Sequence, residues 1–380
     1  MMKSASVLAI FALFLVACSR PNESPEKTKP GTKRATPKKS EAGPGSKTVL
    51  RIEPPSKPGP AQKAEATTQT EVAKKPTPTP RPPAFAKKGL ESEGLIPVTG
   101  GRVWYRIIGS TDAAPLLIIH GGPGLPHNYL EPLQRLCEER PVIFYDQLGC
   151  GQSDRTNDPK LWQVGRFVDE VARLRTALGA TRIHVLGHGW GTIVATEYAL
   201  KKPEGLLSLT LMSPWMSIPR LTADAKKLLA ELPQDLQDAI KKHGEAGTTT
   251  SPEYLAAMQE FQTRFVCRIL PTPGPLARAE AALGLPVMKA MIGPDLFTDG
   301  GNLKDFDNTK RLREITVPTL LPAGRWGNPN ADTVYWYHDQ MPGSEMAVLE
   351  NSADMPQFED LDRCLEVIGN FLRRVDEKPQ

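Results

Sequence analysis

Residues 182–191 read Arg-Ile-His-Val-Leu-Gly-His-Gly-Trp-Gly and join a short apolar run to three alternating glycines. The apolar run is typical of a buried β-strand, and residues 192–202 carry apolar side chains at helical spacing. The glycines allow strand and helix to approach closely, and they allow the middle residue, Gly189, an unusual backbone conformation. The stretch therefore predicts a strand, a sharp turn centred on Gly189, and a helix.

Apolar runs of the same kind recur on both sides of this turn. Strands are predicted over residues 95–98, 102–108, 115–120, 142–145, 206–212, 317–322 and 346–349. Apolar residues at helical spacing predict helices over 163–179 and 360–374. Strands that alternate with helices indicate an α/β fold, with a mostly parallel sheet and helices on both faces.

Residues from about 213 to 312 have a different character. Helical patches over 223–232, 234–242, 253–270 and 275–292 are joined by turns rich in Gly, Pro and Thr, and no strand-like run separates them. We interpret this segment as a helical cap inserted into the sheet domain.

The first 17 residues are typical of a signal peptide, because Lys3 precedes an apolar run that is too short to cross a bilayer comfortably. The run ends in Leu-Val-Ala-Cys at residues 15–18, which resembles a bacterial lipobox. This predicts a lipid on Cys18, a membrane partner through that lipid, and a place in the bacterial cell envelope. Ser19 is not the aspartate associated with inner-membrane retention, which favours an outer membrane where one exists. The alternative is an ordinary secretory signal with an incidental cysteine.

Residues 18–88 are predicted to form a disordered linker, and residues 89–380 the folded domain. Between residues 19 and 84 there is no Phe, Trp or Tyr, so the linker has too little apolar surface to form a core. Residues 19–88 carry 16 Lys/Arg and 6 Asp/Glu, whereas residues 89–380 carry 30 basic and 37 acidic residues. The basic character therefore belongs to the linker, and the composition predicts no nucleic-acid partner.

Several motifs are specific when taken together. They are His-Gly-Gly-Pro-Gly at 120–124, Tyr-Asp-Gln-Leu-Gly-Cys-Gly-Gln-Ser at 145–153, the turn at 187–191, Val-Cys-Arg at 266–268 and Pro-Thr-Leu-Leu at 318–321. With them, residues 94–373 resemble the proline iminopeptidase branch of the α/β-hydrolases, close to bacterial amino-acid amidases. The resemblance implies an α/β-hydrolase fold and removal of an N-terminal residue from a small peptide or amide. It also implies an oxyanion hole formed by backbone N–H groups near Gly121 and Gly122 and by that of Trp190.

The catalytic positions depart from this family. Its members place a serine at the centre of the turn, an aspartate after a late strand and a histidine near the C-terminus, and this chain has Gly189, Gly327 and Asp354 there. Acyl transfer needs a hydroxyl or thiol, an imidazole and an orienting carboxylate. The sequence therefore predicts a pseudoenzyme that binds a ligand or acts as a scaffold. The alternative is a hydrolase that uses other groups, such as Asp354 with a pKa raised well above about 4.

Five further residues are candidates for the pocket. The family implies an acidic residue that holds the substrate amine at the position of Leu296, while Glu253 occupies a second expected acidic position. His120 and His188 also occur at their motif positions in active relatives, so we interpret them as structural. Trp326 lies on the loop that relatives direct into the active site, and core packing is its alternative role.

The cysteines suggest no cofactor. Cys137, Cys267 and Cys364 are isolated on predicted helices, and Cys150 is interpreted as a small buried thiol. No spacing indicates a zinc site or CxxC chemistry, so neither a metal nor a cofactor is predicted. A disulfide between distant cysteines, the nature of any protein partner and the ligand itself are left open, beyond a small peptide-like or amide-like molecule.

Overall fold

The computed structural model describes residues 91–293, 295–297 and 300–378, and within them a single eight-stranded sheet. The strands are β1 (Ser92–Val98), β2 (Gly101–Ile108), β3 (Leu116–Ile119), β4 (Val142–Tyr145), β5 (Ile183–His188), β6 (Leu206–Met212), β7 (Thr319–Gly324) and β8 (Ser344–Leu349). Their spatial order is β1-β2-β4-β3-β5-β6-β7-β8. β1 and β2 are antiparallel to their neighbours, and the strands from β4 to β8 are parallel, so the predicted fold class is confirmed.

Helices cover both faces of the sheet. They are α1 (Val164–Leu178), α2 (Trp190–Leu200), α3 (Ile218–Leu229), α4 (Gln234–Glu245), α5 (Pro252–Phe265), α6 (Gly274–Ala281), α7 (Leu285–Met291), α8 (Ala331–Asp339), α9 (Pro356–Glu359) and α10 (Leu361–Asp376). Three 3₁₀ segments cover His127–Glu138, Pro159–Leu161 and Thr309–Glu314. β3, β4, β5 and β6 are buried along their whole length, as expected for parallel strands covered on both faces.

The alternating glycines of the turn are required by packing. A Cβ atom added to Gly191 would lie 2.2 Å from the carbonyl oxygen of Ile119, and one on Gly187 would lie 2.4 Å from the carbonyl oxygen of Gly191. Neither distance is possible for a real side chain. The glycines therefore let α2 lie directly against β3 and β5, which fixes the position of Gly189 at the carboxyl edge of the sheet.

The described residues between β6 and β7 form helices α3 to α7, the last 3₁₀ segment and connecting turns. This confirms the inserted cap, which has a small core of its own around Tyr254 and Phe261. The predicted signal peptide, Cys18 and the linker lie outside the described residues. Within the described part of the chain, no helix combines the length and apolar character needed to cross a membrane.

Two predicted cap helices need correction. The helix predicted over 253–270 ends at Phe265, and Cys267 lies outside any helix. Beyond Phe265 the backbone is bonded outside the helix, because the Val266 carbonyl accepts from the Asp354 N–H and the Arg268 N–H donates to Glu359. The helix predicted over 275–292 is divided into α6 and α7, because Pro286 lacks an N–H group and is accommodated only in the first turn of a new helix.

Candidate functional site

The turn between β5 and α2 has the backbone of a nucleophile elbow without a nucleophile. Gly189 has φ 52° and ψ −119°, a region that favours glycine. Its N–H donates to the carbonyl oxygen of Met212 at 3.1 Å, and the Thr192 hydroxyl donates to its carbonyl oxygen at 2.6 Å. A Cβ atom on Gly189 would meet the Trp215 ring at 3.5 Å, an ordinary contact. The position has room for a side chain but offers no hydroxyl or thiol.

The structure brings the other two altered catalytic positions to the same place. Gly327 follows β7 and Asp354 follows β8, and a Cβ atom on Gly327 would lie 3.1 Å from the backbone nitrogen of Asp354. The carbonyl oxygen of Asp354 accepts hydrogen bonds from His188 Nε2 at 2.9 Å and from the Ser213 hydroxyl at 3.1 Å. Gly189, Gly327 and Asp354 therefore converge at the carboxyl edge of the parallel strands.

Asp354 is the reactive group that remains at this edge. The residue is half-buried, but its Oδ1 atom is buried and has no hydrogen-bond partner among the described residues. Burial raises the pKa of its carboxyl to about 8, and the nearby Glu359 carboxylate adds to the effect. Asp354 therefore meets the condition for a base that operates near neutral pH.

His188 has a structural role. The Tyr129 hydroxyl accepts a hydrogen bond from the Gly121 N–H at 2.7 Å and lies 2.9 Å from His188 Nδ1. Because Nε2 faces the carbonyl oxygen of Asp354, Nε2 donates and Nδ1 accepts from Tyr129. Burial lowers the pKa of His188 to about 4. His188 is thus a neutral link between the Gly121 loop and Asp354, with both ring nitrogens engaged.

His120 and Cys150 lie behind the turn. The Gln147 N–H donates to His120 Nε2 at 2.9 Å, so Nδ1 donates to the carbonyl oxygen of Gly121 at 3.0 Å. Burial lowers the pKa of His120 to about 4. Cys150 is fully buried, and burial raises the pKa of its thiol well above the usual range. Neither residue provides a base or nucleophile at neutral pH.

Of the residues expected to form an oxyanion hole, two keep suitable positions. Gly122 lines the cavity in front of the turn, and Trp190 is the first residue of α2, where a backbone N–H has no partner within the helix. The N–H of Gly121 is occupied by Tyr129. The Trp190 side chain is buried, and its Nε1 donates to Gln147 at 2.8 Å.

A cavity of about 190 Å³ lies between the turn and the cap. Most of its wall is apolar, with carboxyl groups at three places. Its residues include Gly122, Leu125, Tyr129, His188, Gly189, Trp215, Met258, Phe261, Cys267, Leu276, Glu280, Met288, Ile292, Asp295, Leu296, Phe297 and Asp354. The cavity suits a small, mainly apolar ligand that reaches the turn.

The predicted pocket residues divide into two groups. His188 and Leu296 line the cavity, whereas His120, Glu253 and Trp326 are not among its lining residues. Glu253 lies at the exposed start of α5, where its carboxylate contacts Lys242 at 3.0 Å and His243 at 2.9 Å. Trp326 is 51% exposed, and its Nε1 donates to the carbonyl oxygen of Glu350 at 3.2 Å, which holds the ring outside the cavity.

Two cavity residues were missed by the sequence analysis. Glu280 lies on α6 four residues after Leu276 and therefore on the same helix face. An acidic residue on an otherwise apolar face of a predicted helix was the signal that could have identified it. Trp215 follows β6 and packs against Gly189. This contact depends on the path of the chain after β6, which no sequence pattern indicates. No cluster of three metal-ligating side chains occurs among the residues that the structure describes.

The order of the strands, the turn at Gly189 and the inserted cap have close counterparts in known proteins. A family model described as the alpha/beta hydrolase fold matches residues 114–360. The chain belongs to the α/β-hydrolase family.

Relatives of this hydrolase-fold chain include proline iminopeptidases. That of Heyndrickxia coagulans is 42% identical over 288 residues, which are 75% of this chain and 100% of that protein. The crystal structure of a proline iminopeptidase of Mycobacterium smegmatis has a TM-score of 0.71 at 34% identity, and covers 75% of this chain and 99% of that one. The crystal structure of VinJ has a TM-score of 0.73, also at 34% identity and with the same coverage. The similarity therefore spans the whole described domain, cap included.

Proposed function

We propose that this chain is a non-hydrolytic, ligand-binding member of the proline iminopeptidase-like α/β-hydrolases. The observation that carries the proposal is Gly189 at the centre of the elbow. The backbone around it keeps the geometry that presents a nucleophile, but the residue offers no atom that can attack a carbonyl. The cavity in front of it remains open to a small ligand.

No neighbouring group compensates for the missing nucleophile. The Thr192 hydroxyl donates to the carbonyl oxygen of Gly189 and accepts from the N–H of Trp215 at 2.8 Å, so it is part of the turn. The Cys150 thiol is buried and stays protonated at neutral pH. Removal of the nucleophile from a catalytic triad costs on the order of 10⁶ in rate, and the other two triad positions are altered as well.

A second function has support from Asp354. A carboxyl with a pKa of about 8 that lines the cavity could take a proton from water, while the N–H groups of Gly122 and Trp190 hold a carbonyl oxygen. The names of the relatives also favour retained peptidase or amidase activity. In this candidate, water rather than a side chain attacks an amide or ester.

One comparison separates the two functions. Purified full-length protein is assayed with aminoacyl arylamides, prolyl and alanyl forms included, and with short p-nitrophenyl esters, beside an Asp354→Asn variant. We expect no turnover above the uncatalysed rate in either protein. Turnover by the wild type that falls at least tenfold in Asp354→Asn would overturn the proposal and establish water activation by Asp354.

We also propose that the protein is anchored in the cell envelope by a lipid on Cys18. The support is the sequence of residues 15–18, which resembles a lipobox after a short apolar run. Anchoring would place the domain at a membrane surface on a basic linker.

A further inference from the structure

Three buried polar atoms of the cavity wall have no hydrogen-bond partner among the described residues. They are Nε1 of Trp215, Oε2 of Glu280 and Oδ1 of Asp354. Glu280 is only 8% exposed, so water does not fully replace the missing partner. An unpaired buried polar group destabilises the fold, and several such groups in one cavity point to a bound molecule that satisfies them.

The wall of the cavity carries acidic side chains without a basic counterpart. Glu280, Asp295 and Asp354 line the cavity, and the described lining residues include neither Lys nor Arg. Asp295 already accepts hydrogen bonds from the Phe297 N–H at 2.8 Å and from the Tyr254 hydroxyl at 3.2 Å. Glu280 and Asp354 are therefore the two carboxyl groups left to contact a ligand.

These two carboxyl groups share one neighbourhood. Burial raises the pKa of the Cys267 thiol to about 11, and the nearby carboxyl groups of Glu359, Glu280 and Asp354 add to the effect. Cys267 lines the same cavity. Glu280 and Asp354 thus lie around Cys267, whereas the cap position where the family would hold an amine carries Leu296 and no acid.

We infer that the cavity binds an organic cation, a small amine with an apolar body, whose ammonium group pairs with Asp354 and lies on the Glu280 side of the wall. The volume of about 190 Å³ sets the size, because an apolar cavity of about 150 Å³ holds benzene. The Trp215 indole also lines the cavity, and aromatic rings attract cations. This inference rests on the proposed function, because it requires the space in front of Gly189 to receive a ligand that is not cleaved.

Binding of an ammonium ion to Asp354 should release a proton, because of the groups that surround the carboxyl. The groups that face it are His188 on β5, Tyr129 on the first 3₁₀ segment, Glu359 on α9 and the Cys267 thiol, and none of them is cationic at neutral pH. Without a ligand the Asp354 carboxyl is therefore mostly protonated at pH 7. When R–NH₃⁺ binds, the carboxyl becomes a carboxylate, the ammonium keeps its protons, and one proton passes to the buffer.

Isothermal titration of the detergent-solubilised full chain with benzylamine and with benzyl alcohol tests this inference. The two probes have nearly the same shape and differ in charge. We expect benzylamine to bind at least tenfold more tightly at pH 8.5, and its affinity to fall about tenfold for each pH unit below 8. Titrations at pH 7 in buffers with different heats of ionisation should report about one proton released.

Substitutions of the two carboxyl residues test which of them causes the preference for the amine. Asp354→Asn should remove the preference for the amine together with its pH dependence. Glu280→Gln should change the preference much less, because a protonated glutamate and a glutamine both offer the ammonium group a neutral carbonyl oxygen. Asp169→Asn removes a carboxylate from the exposed face of α1 and serves as the matched control, with wild-type binding expected. Circular dichroism and urea denaturation confirm that each variant is folded.

Equal affinity for the two probes, or no binding of benzylamine at 10 mM by folded wild-type protein, would overturn the inference. Equal affinity would identify the cavity as a site for neutral apolar molecules. Neither probe contains a bond that a hydrolase cleaves, so this result is independent of the arylamide and ester assays. Turnover in those assays together with selective amine binding would reject only the non-hydrolytic function.

Discussion

At the scale of single residues, Gly189 keeps the unusual backbone conformation of a nucleophile elbow but carries no side chain. A residue with a side chain adopts such a φ, ψ pair at a cost of about 1–3 kcal/mol. We therefore expect Gly189→Ser to lower the free energy of unfolding by about 1–2 kcal/mol in urea denaturation. We expect no hydrolysis, because the histidine and aspartate positions of the triad still hold Asp354 and Gly327. Gly165→Ser is the matched control, because Gly165 lies in α1 with open space around its Cβ position. A Gly189→Ser protein as stable as the wild type would show that the turn is not strained.

Restoration of activity requires all three altered positions. The Cβ of Gly189→Ser meets Trp215 at an ordinary distance, but the Cβ of Gly327→Asp would lie only 3.0–3.2 Å from the backbone of residues 353 and 354. That backbone is held by His188 and Ser213, so it must shift by a few tenths of an ångström. We expect the triple variant with Asp354→His to give measurable arylamide hydrolysis, well below that of an active relative. The double variant without Gly189→Ser should give none, and turnover by that double variant would contradict this account.

At the scale of elements, α6 carries a buried acid on its apolar face. Burial raises the pKa of Glu280 from 4.5 to about 9, so the folded state keeps a proton that the unfolded state loses above pH 4.5. Stability should therefore decrease between about pH 4.5 and pH 9. We expect Glu280→Gln to raise the free energy of unfolding on the order of 2 kcal/mol at pH 8 and to leave it unchanged at pH 4. Urea midpoints at both pH values measure this difference, and a variant less stable at pH 8 would show that Glu280 is ionised in the fold.

The last helix, α10, is tied to the sheet by an ion pair at its C-terminal end. Asp376 contacts Arg140, which is 2% exposed, at 2.9 Å and His184 at 3.1 Å. Asp376→Asn would leave the Arg140 guanidinium buried without a counter-charge, so we expect a loss of about 2–4 kcal/mol in urea denaturation. Asp362→Asn on the same helix breaks a solvent-exposed pair with Arg135 and should cost less than about 0.5 kcal/mol. Equal effects of the two variants would contradict the role of burial.

At the scale of the whole molecule, the parts that could be predicted from the sequence are those set by local pattern. Each strand was placed to within about three residues, and the turn was centred on Gly189, because apolar runs and alternating glycines are local signals. The convergence of Gly189, Gly327 and Asp354 follows from their positions after parallel strands. Cys137 was placed on a helix, but no bounds were predicted for the 3₁₀ segment at His127–Glu138 that contains it. Helix α8 was missed, since its apolar period is weak. Glu280 and Trp215 reach the cavity through the packing of the cap, which no local pattern encodes.

The N-terminal region gives a prediction for the entire protein. If Cys18 carries a lipid, the mature chain should sediment with membranes through a high-salt wash, because acyl chains and not charges hold it there. We expect Cys18→Ser to move the protein to the supernatant after such a wash. A Lys74→Gln, Lys75→Gln double variant keeps Cys18 but removes two linker charges, and it should remain with the membranes. A Cys18→Ser protein that still sediments would reject the anchor.

The conformation of Gly189 also bears on how this lineage can change from here. A mutation that returns a side chain to the turn incurs the conformational cost at once, whereas activity returns only after two further substitutions, one of which crowds the backbone of residues 353 and 354. Selection for hydrolysis therefore has no favourable first step. Under the proposed function, a return to catalysis is therefore unfavourable, and we expect natural variants to differ in the cavity wall while keeping the glycine.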